Sequence, residues 1–277
     1  GTLNSFTINI CRYDYTLIGG PCGTVTTTWN GTAWSNGVPT NSVAANFTGN
    51  YTSSGNLDAC SATIATGVTV TFNAGHTFIV GDAVTVNGTG SLIINNNAAL
   101  RQTGDKTNVG NIIVKRNSAP MVRLDYTAWS SPVSGQQLQA FSPNTLATRF
   151  YQYLYTGTTT PTAYQVVTPT TNFLSGKGYM IRAANNWPVT ATAFNGQFTG
   201  IPNNGYYTQN IGKGYNLLGN PYASPVDASE FLTDNSTLVG ALYFWTHTAP
   251  ASGGVYPINN FASYTTLGGT ASAAGGA

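Results

Sequence analysis

The sequence predicts an all-β protein in which a short parallel β-helix, or solenoid, is followed by an antiparallel β-sandwich of jelly-roll type. Three observations indicate this fold class. Residues 62–114 repeat short β-prone runs with Gly- and Asn-rich breaks, residues 119–265 hold longer aromatic runs, and helical periodicity is almost absent. Short, evenly spaced runs of this kind are typical of a β-solenoid.

The chain of 277 residues divides into four segments of different composition. They are an N-terminal disulfide loop with a Trp-rich opening segment at 1–40, the solenoid at 41–118, the sandwich at 119–265 and a low-complexity segment at 266–277. The last segment is rich in Gly and Ala, as flexible linkers are, and predicts a connection to further residues.

Alternation within the solenoid runs predicts which side chains point inward, because successive residues of a strand face opposite sides. The inward set is Val70, Phe72, Phe78, Val86 and Leu92. Thr69 and Thr71 take the opposite face.

The sandwich segment contains apolar runs separated by Pro-rich connections, which favours antiparallel strands joined by long loops. The predicted strands are Met121–Tyr126, Arg149–Tyr155, Gly178–Arg182, Tyr215–Leu218 and Leu242–Trp245. A short helix is predicted after Asp227, since Asp227 and Glu230 have the spacing of a capping box.

Three cysteines allow one disulfide and leave one thiol over. Cys11 and Cys22 enclose ten residues with a Gly-Gly-Pro turn, so we expect them to pair, which implies an oxidising compartment. Cys60 is then a buried free thiol, in the manner of a small hydrophobic residue.

Charge and catalytic residues are both scarce. Charged residues make up 6% of the chain, against about 25% in an average domain, and the net charge is +2. Nucleic-acid binding needs a basic stripe, which is missing here. Eight carboxylates and two histidines show no spacing typical of a hydrolytic triad, a glycosidase pair or a metal site. We therefore expect no enzyme activity, cofactor or metal.

Aromatic side chains near Gly, Asn and Pro supply the remaining candidate site. Trp29, Trp34, Trp129 and Trp187 are candidates for stacking on sugar rings. The alternative is that the same rings pack in the protein core, as large aromatic side chains usually do.

Four segments of the sequence together resemble a known class of proteins. They are Trp29–Pro39, Gly55–Cys60, Gly110–Arg116 and Gly214–Tyr222. In their residues and in their order along the chain, these segments resemble the large secreted cell-surface proteins, similar to adhesins, of flavobacterium-type Bacteroidetes. The resemblance implies export by the type IX secretion system, with a translocon component or another outer-membrane protein as partner.

These observations lead to one expectation and one rival. We expect a non-enzymatic adhesin or structural protein, secreted or held at the cell surface, with surface glycans as a further class of partner. The rival is a carbohydrate-binding module of a secreted polysaccharide-degrading enzyme. A groove lined by coplanar Trp and Tyr rings favours the rival, whereas a face of Thr and Asn with buried rings favours the adhesin.

Overall fold

A computed structural model describes residues 6–10, 22–153, 164–212, 214–237, 239–246, 256 and 260–272. In chain order its strands are β1 Phe6–Ile10, β2 Thr26–Trp29, β3 Ala44–Phe47, β4 Tyr51–Thr52, β5 Leu57–Ala59, β6 Ala62–Ile64, β7 Thr69–Phe72, β8 Thr77–Val80, β9 Val84–Val86, β10 Ser91–Ile94, β11 Ala99–Gln102, β12 Ile112–Asn117, β13 Tyr126–Trp129, β14 Val133–Ser134, β15 Phe150–Tyr153, β16 Tyr164–Val166, β17 Tyr179–Arg182, β18 Asn195–Pro202, β19 Tyr207–Ile211, β20 Leu242–Trp245, β21 Phe261–Thr265 and β22 Gly268–Thr270. The helices are α1 Leu138–Phe141 and α2 Ala228–Asp234.

The solenoid is present and makes about 4 turns. Its strands stack in parallel on three faces, with the orders β2-β3-β6-β9, β4-β7-β10-β12 and β5-β8-β11. Each residue therefore lies beside its equivalents in the neighbouring coils, as Val70 lies between Tyr51 and Leu92.

The predicted inward side chains of the solenoid are confirmed. Val70, Phe72, Phe78, Val86 and Leu92 are at most 5% exposed. The rings of Phe72 and Phe78 stack at a centroid distance of 4.6 Å inside the coil. Burial of these side chains on all three faces supplies the hydrophobic energy that holds the coils together.

Asparagines at the corners explain why Asn recurs between the runs. Their side-chain oxygens accept backbone N–H groups of the next coil: Asn50 from Thr69 at 2.8 Å, Asn56 from Thr77 at 2.9 Å and Asn96 from Asn117 at 2.9 Å. Each bond satisfies a donor that the bend would otherwise leave unpaired.

The solenoid continues directly into the second half of the chain. Strand β12 pairs in parallel with β10 and antiparallel with β18, and β18 pairs with β14. The four-stranded antiparallel sheet β13-β17-β15-β16 packs on β18 together with α1, so that a single hydrophobic core extends from Phe72 to Phe198. The all-β class and the solenoid are confirmed, whereas the jelly-roll arrangement is not.

Two predicted strands are wrong because local hydrogen bonds form turns there. Asp125 accepts the N–H of Val122, and Leu124 has a positive φ of 76°, so the segment Met121–Tyr126 turns before β13 begins. In the segment Tyr215–Leu218, the Asn216 side chain bonds to the backbone of Gly212, an alternative to sheet pairing.

The remaining predicted elements agree with the structure. Strands β15, β17 and β20 fall within the predicted runs, although Leu154 and Tyr155 lie outside the described residues. The carboxylate of Asp227 caps α2 by accepting from the N–H groups of Ser229 and Glu230.

The predicted disulfide pairing is wrong. Cys22 is bonded to Cys60, with their Cα atoms 5.4 Å apart, so Cys60 is not a free thiol and Cys22 is not paired with Cys11. Cys11 lies outside the described residues. The coils stack the segment before β2 next to the corner between β5 and β6, and this stacking, not closeness along the chain, selects the partner.

The core position of Phe72 leads to a first prediction. Replacing Phe72 by Ala removes a fully buried, stacked ring and should lower the free energy of unfolding by about 3–5 kcal/mol. Thr71→Ala, on the outer face of the same strand, is the matched control and should change it by less than about 1 kcal/mol. Urea denaturation measures both, and equal losses would contradict the assigned register.

The disulfide leads to a second prediction. It joins residues separated by 38 positions, so its loss should lower the free energy of unfolding by about 4 kcal/mol through loop-closure entropy. The double variant Cys22→Ser, Cys60→Ser tests this by urea denaturation. Peptide mapping without reduction should recover a Cys22–Cys60 peptide, and a Cys11–Cys22 peptide in its place would contradict the pairing.

Candidate functional site

Trp29 and Trp34 lie together at the N-terminal end of the solenoid. Their ring centroids are 5.5 Å apart, and Trp34 packs edge-on against Phe47 at 5.3 Å. The indole N–H of Trp29 donates to the carbonyl of Asn50 at 2.8 Å. Both rings are half-buried against the solenoid core, so they cover the end of the coil, and their arrangement favours packing over a flat binding platform.

Trp129 and Trp187 lie at a different place, on either side of Phe194. The ring centroid of Phe194 is 5.7 Å from that of Trp129 and 5.8 Å from that of Trp187. The indole N–H of Trp187 donates to the carbonyl of Met121 at 3.2 Å, which fixes the ring. The structure thus brings together two of the four predicted tryptophans near β17 and β18.

These two tryptophans line a cavity of about 290 Å³. Ser142, Asn144 and Asn186 share its wall, and Arg182 borders it with its side chain on the face of the sheet opposite Trp129. A volume near 300 Å³ is at the lower limit for small-molecule sites and suits one sugar unit. Aromatic rings with a few polar groups are the usual lining of such sites.

An open polar groove adjoins the cavity and follows β18. It consists of two depressions of about 620 and 810 Å³, the first of which shares Pro143 and Phe194 with the cavity. The exposed side chains of Asn195, Gln197 and Thr199 alternate with buried residues of β18 and line the groove. Its amide side chains come from segments far apart in the chain: Asn73, Asn95, Asn96, Asn97, Asn117, Gln136, Gln137, Asn195 and Gln197.

The groove and the cavity together form one cleft, which we call the β18 cleft. Amide groups donate and accept hydrogen bonds without charge, which matches the hydroxyl groups of a polysaccharide. Lys115 lies opposite Gln197 of β18, so its side chain faces the groove and supplies a positive charge there. Arg182 lies opposite Tyr126, so its side chain is on the other face of the sheet from Trp129.

Behind the cavity, Arg182 belongs to a group of basic and aromatic side chains on the four-stranded sheet. Tyr126 lies directly opposite Arg182 on β13, and Arg149 bonds to the hydroxyl of Tyr151 at 3.0 Å. Burial, with a hydrogen bond to Tyr151, raises the pKa of Tyr126 to about 12, although the two arginines act in the opposite direction. Tyr126 therefore stays neutral at physiological pH and does not compensate the arginine charges.

One serine and one histidine lie side by side, a contact that no spacing in the sequence predicts. Ser53 Oγ lies 2.8 Å from Nδ1 of His76 and also accepts the N–H of Asn73 at 2.9 Å. Ser53 is 3% exposed, so its hydroxyl is closed to a substrate, and we assign the contact to the packing of neighbouring coils. His247 lies outside the described residues.

Within the described ranges, no group of three His, Cys, Asp or Glu side chains is placed to hold a metal ion. No helix in this part of the chain is long and apolar enough to cross a membrane. The disulfide indicates an oxidising compartment.

The cleft was missed by sequence reasoning except for Trp129 and Trp187. Its other residues are neutral amides and small polar groups in loops, a composition that is common on any protein surface. The alternating polar residues of β18 were the one available signal, and they indicate a strand with one exposed face without indicating a site.

Comparison with known proteins identifies the family of the chain. No curated protein and no solved structure matches the chain. One family profile, described as "Domain of unknown function (DUF8693)", matches residues 22–275, which is most of the chain. The chain therefore belongs to the DUF8693 family.

Proposed function

We propose that the protein is a non-enzymatic adhesin, secreted or held at the cell surface, that binds surface glycans in the β18 cleft. The observation that carries this proposal is the cleft itself, in which amide side chains along β18 lead to a cavity with two tryptophans. Sugar rings bind through their apolar faces on aromatic rings and through their hydroxyl groups on amides.

The chemistry of the cleft supports binding without turnover. A glycosidase needs two carboxyl groups across its cleft, one as acid and the other as base or nucleophile. Among the described lining residues of the β18 cleft there is no Asp or Glu. A glycan held there meets hydrogen-bonding groups and the ammonium group of Lys115, which bind and orient it.

The solenoid suits an adhesin because it is a rigid, extended scaffold with a neutral outer surface. Strand β7 turns Thr69 and Thr71 outward, although Ile79 and Ile93 take outward positions on β8 and β10. The aromatic rings of the solenoid are turned into the core or cover its end. That arrangement is the one that favours an adhesin or structural protein over a flat aromatic binding face.

The rival function, a carbohydrate-binding module of a secreted polysaccharide-degrading enzyme, is favoured by the cavity with Trp129 and Trp187. Both functions use the same cleft, and they differ in what the native polypeptide carries beside it. The intact mass of the native protein, followed by sequencing of any additional part, separates them, because the rival requires a catalytic domain in the same polypeptide.

A third prediction concerns binding at the cleft. Trp187→Ala should weaken binding to the preferred member of a panel of pectin, alginate, xylan and cellulose at least tenfold, or about 1.4 kcal/mol. Trp187→Phe should keep most of the affinity. Tyr243→Ala, which removes a ring exposed at 52% outside the cleft, is the matched control and should bind as the wild type does.

Affinity electrophoresis and isothermal titration calorimetry measure these affinities. If the wild type binds no member of the panel, or if Trp187→Ala binds as tightly as the control Tyr243→Ala, the cleft is not the glycan site.

A fourth prediction concerns export, which we propose occurs through the type IX secretion system. The disulfide and the four sequence segments that resemble secreted Bacteroidetes surface proteins support this route. In a strain that lacks the translocon pore, the surface amount of the protein should fall to background and the protein should accumulate inside the cell. Surface labelling followed by immunoblotting measures this, and an unchanged surface amount would refute this route while leaving the glycan proposal intact.

A further inference from the structure

The outer face of the sheet β14-β18-β12-β10-β7-β4 repeats its side chains in rows that cross the strands. The registers of five strands place one outward residue of each strand beside the next, in the order Thr52, Thr71, Ile93, Ile113 and Thr199. All five are exposed or half-buried, so the row lies at the surface. We call it the isoleucine row, because Ile93 and Ile113 form its apolar centre.

A second row lies beside the first and carries polar groups. Its members are two positions further along the chain on β7, β10 and β12, or opposite Lys115 on β18: Asn73, Asn95, Lys115 and Gln197. Alternation turns them to the same side of the sheet as the isoleucine row, and all four line the second depression of the β18 cleft. We call this second row the amide row.

The amide row has hydrogen-bonding groups to spare. Asn73 donates to the carbonyl of Ser53 at 3.1 Å, which ties its amide to the neighbouring coil. Within the described residues, the side chains of Asn95, Lys115 and Gln197 have no hydrogen-bond partner. Their donors therefore remain available to a ligand that lies on the sheet.

The spacing of the rows selects the shape of that ligand. Neighbouring strands lie about 4.8 Å apart, so both rows repeat their groups at this interval across the sheet. A β-linked polysaccharide such as xylan or cellulose forms an extended ribbon that advances by nearly the same length per sugar, whereas an α-linked glucan coils. The ribbon has apolar C–H faces and hydroxyl groups along its edges, which match the isoleucine row and the amide row.

We propose that the β18 cleft binds an extended, β-linked polysaccharide chain that lies across the strands, parallel to the solenoid axis, with one sugar for each of β7, β10, β12 and β18. This inference rests on the proposed function and names the class and direction of its ligand. The two depressions share Asn195 and Gln197, and the first shares Phe194 with the cavity. A chain that follows the rows therefore reaches the cavity of Trp187 at one end.

The opposite direction, along a single strand, fits less well. Outward side chains of one strand recur at every second residue, about 6.7 Å apart, which exceeds the advance of one sugar in a β-linked ribbon. A chain along β18 also meets the side chains of one strand and its loops, and it leaves the isoleucine row uncovered. The rows across the sheet supply apolar and polar contacts together at each step.

The test varies the length and the linkage of the ligand on the folded full chain. Calorimetry with xylo-oligosaccharides and cello-oligosaccharides should show affinity rising with each added sugar until the ligand spans β7 to β18, about four sugars, and then levelling off. Malto-oligosaccharides of the same lengths, which are α-linked, should bind at least tenfold more weakly.

Variants locate the ligand on the rows. Ile93→Ala should lower the affinity for the longest xylo-oligosaccharide about fivefold, because it removes an apolar contact at the centre of the isoleucine row. Ile79→Ala removes the same side chain from an outward position on β8, on another face of the solenoid, and should bind as the wild type does. Thermal melts confirm that each variant is folded, and Asn95→Ala provides a second test if Ile93→Ala is not.

The outcomes distinguish this inference from the proposed function. Equal affinity for α-linked and β-linked oligosaccharides, or affinity that does not depend on length, would overturn the ribbon and leave glycan binding at Trp187 in place. The same holds if Ile93→Ala and Asn95→Ala, both folded, bind as Ile79→Ala does. Absence of binding to these oligosaccharides and to the wider polysaccharide panel would overturn both.

Discussion

The pairing of β12 with β18 is the interaction on which the rest of the structure depends. Six residue pairs, from Ile112 with Gly200 to Asn117 with Asn195, join the last parallel strand of the solenoid to an antiparallel strand from the second half. An open edge of a parallel sheet is a site for unwanted association, and β18 covers it. Gly200 permits the close approach of β14, since a Cβ there would lie 2.0 Å from the carbonyl oxygen of Ser134.

The same strand builds the core and the cleft. The alternation of β18 turns Phe198 into the core, where it stacks on Phe141 at 4.4 Å, and turns Asn195, Gln197 and Thr199 outward into the groove. The position of the groove relative to Trp129 is consequently fixed by packing, because Trp129 also contacts Phe198. A binding surface held by a core strand is already ordered before the ligand arrives, which reduces the entropic cost of binding.

The sequence predicted the structure well where side chains alternate between the two faces of a strand. It predicted poorly the contacts between segments that are far apart in the chain. Alternation identified Val70, Phe72 and Phe78 as inward because a strand has two faces and one is apolar. The partner of Cys22 depends on which corners stack, and loop length contains no such information. The turn at Val122–Asp125 was missed because a side-chain bond from one aspartate outweighs the β propensity of its neighbours.

The candidate site was likewise predictable only in its local features. Composition predicted tryptophans as sugar-binding candidates, but it could not separate Trp34, which packs on Phe47, from Trp187, which lines a cavity. The amides of the groove come from five separate turns and strands, and their convergence depends on the β12–β18 pairing.

Native-state hydrogen exchange tests most directly whether β18 unites the solenoid and the second half into one core. If it does, the amides of Val70 in β7, Val114 in β12 and Phe198 in β18 open with one common free energy, equal to that of global unfolding. That free energy should fall equally at all three positions as denaturant is added. Exchange of Phe198 at a clearly lower free energy, with Val70 still protected, would contradict the account, because β18 would then detach while the solenoid stays folded.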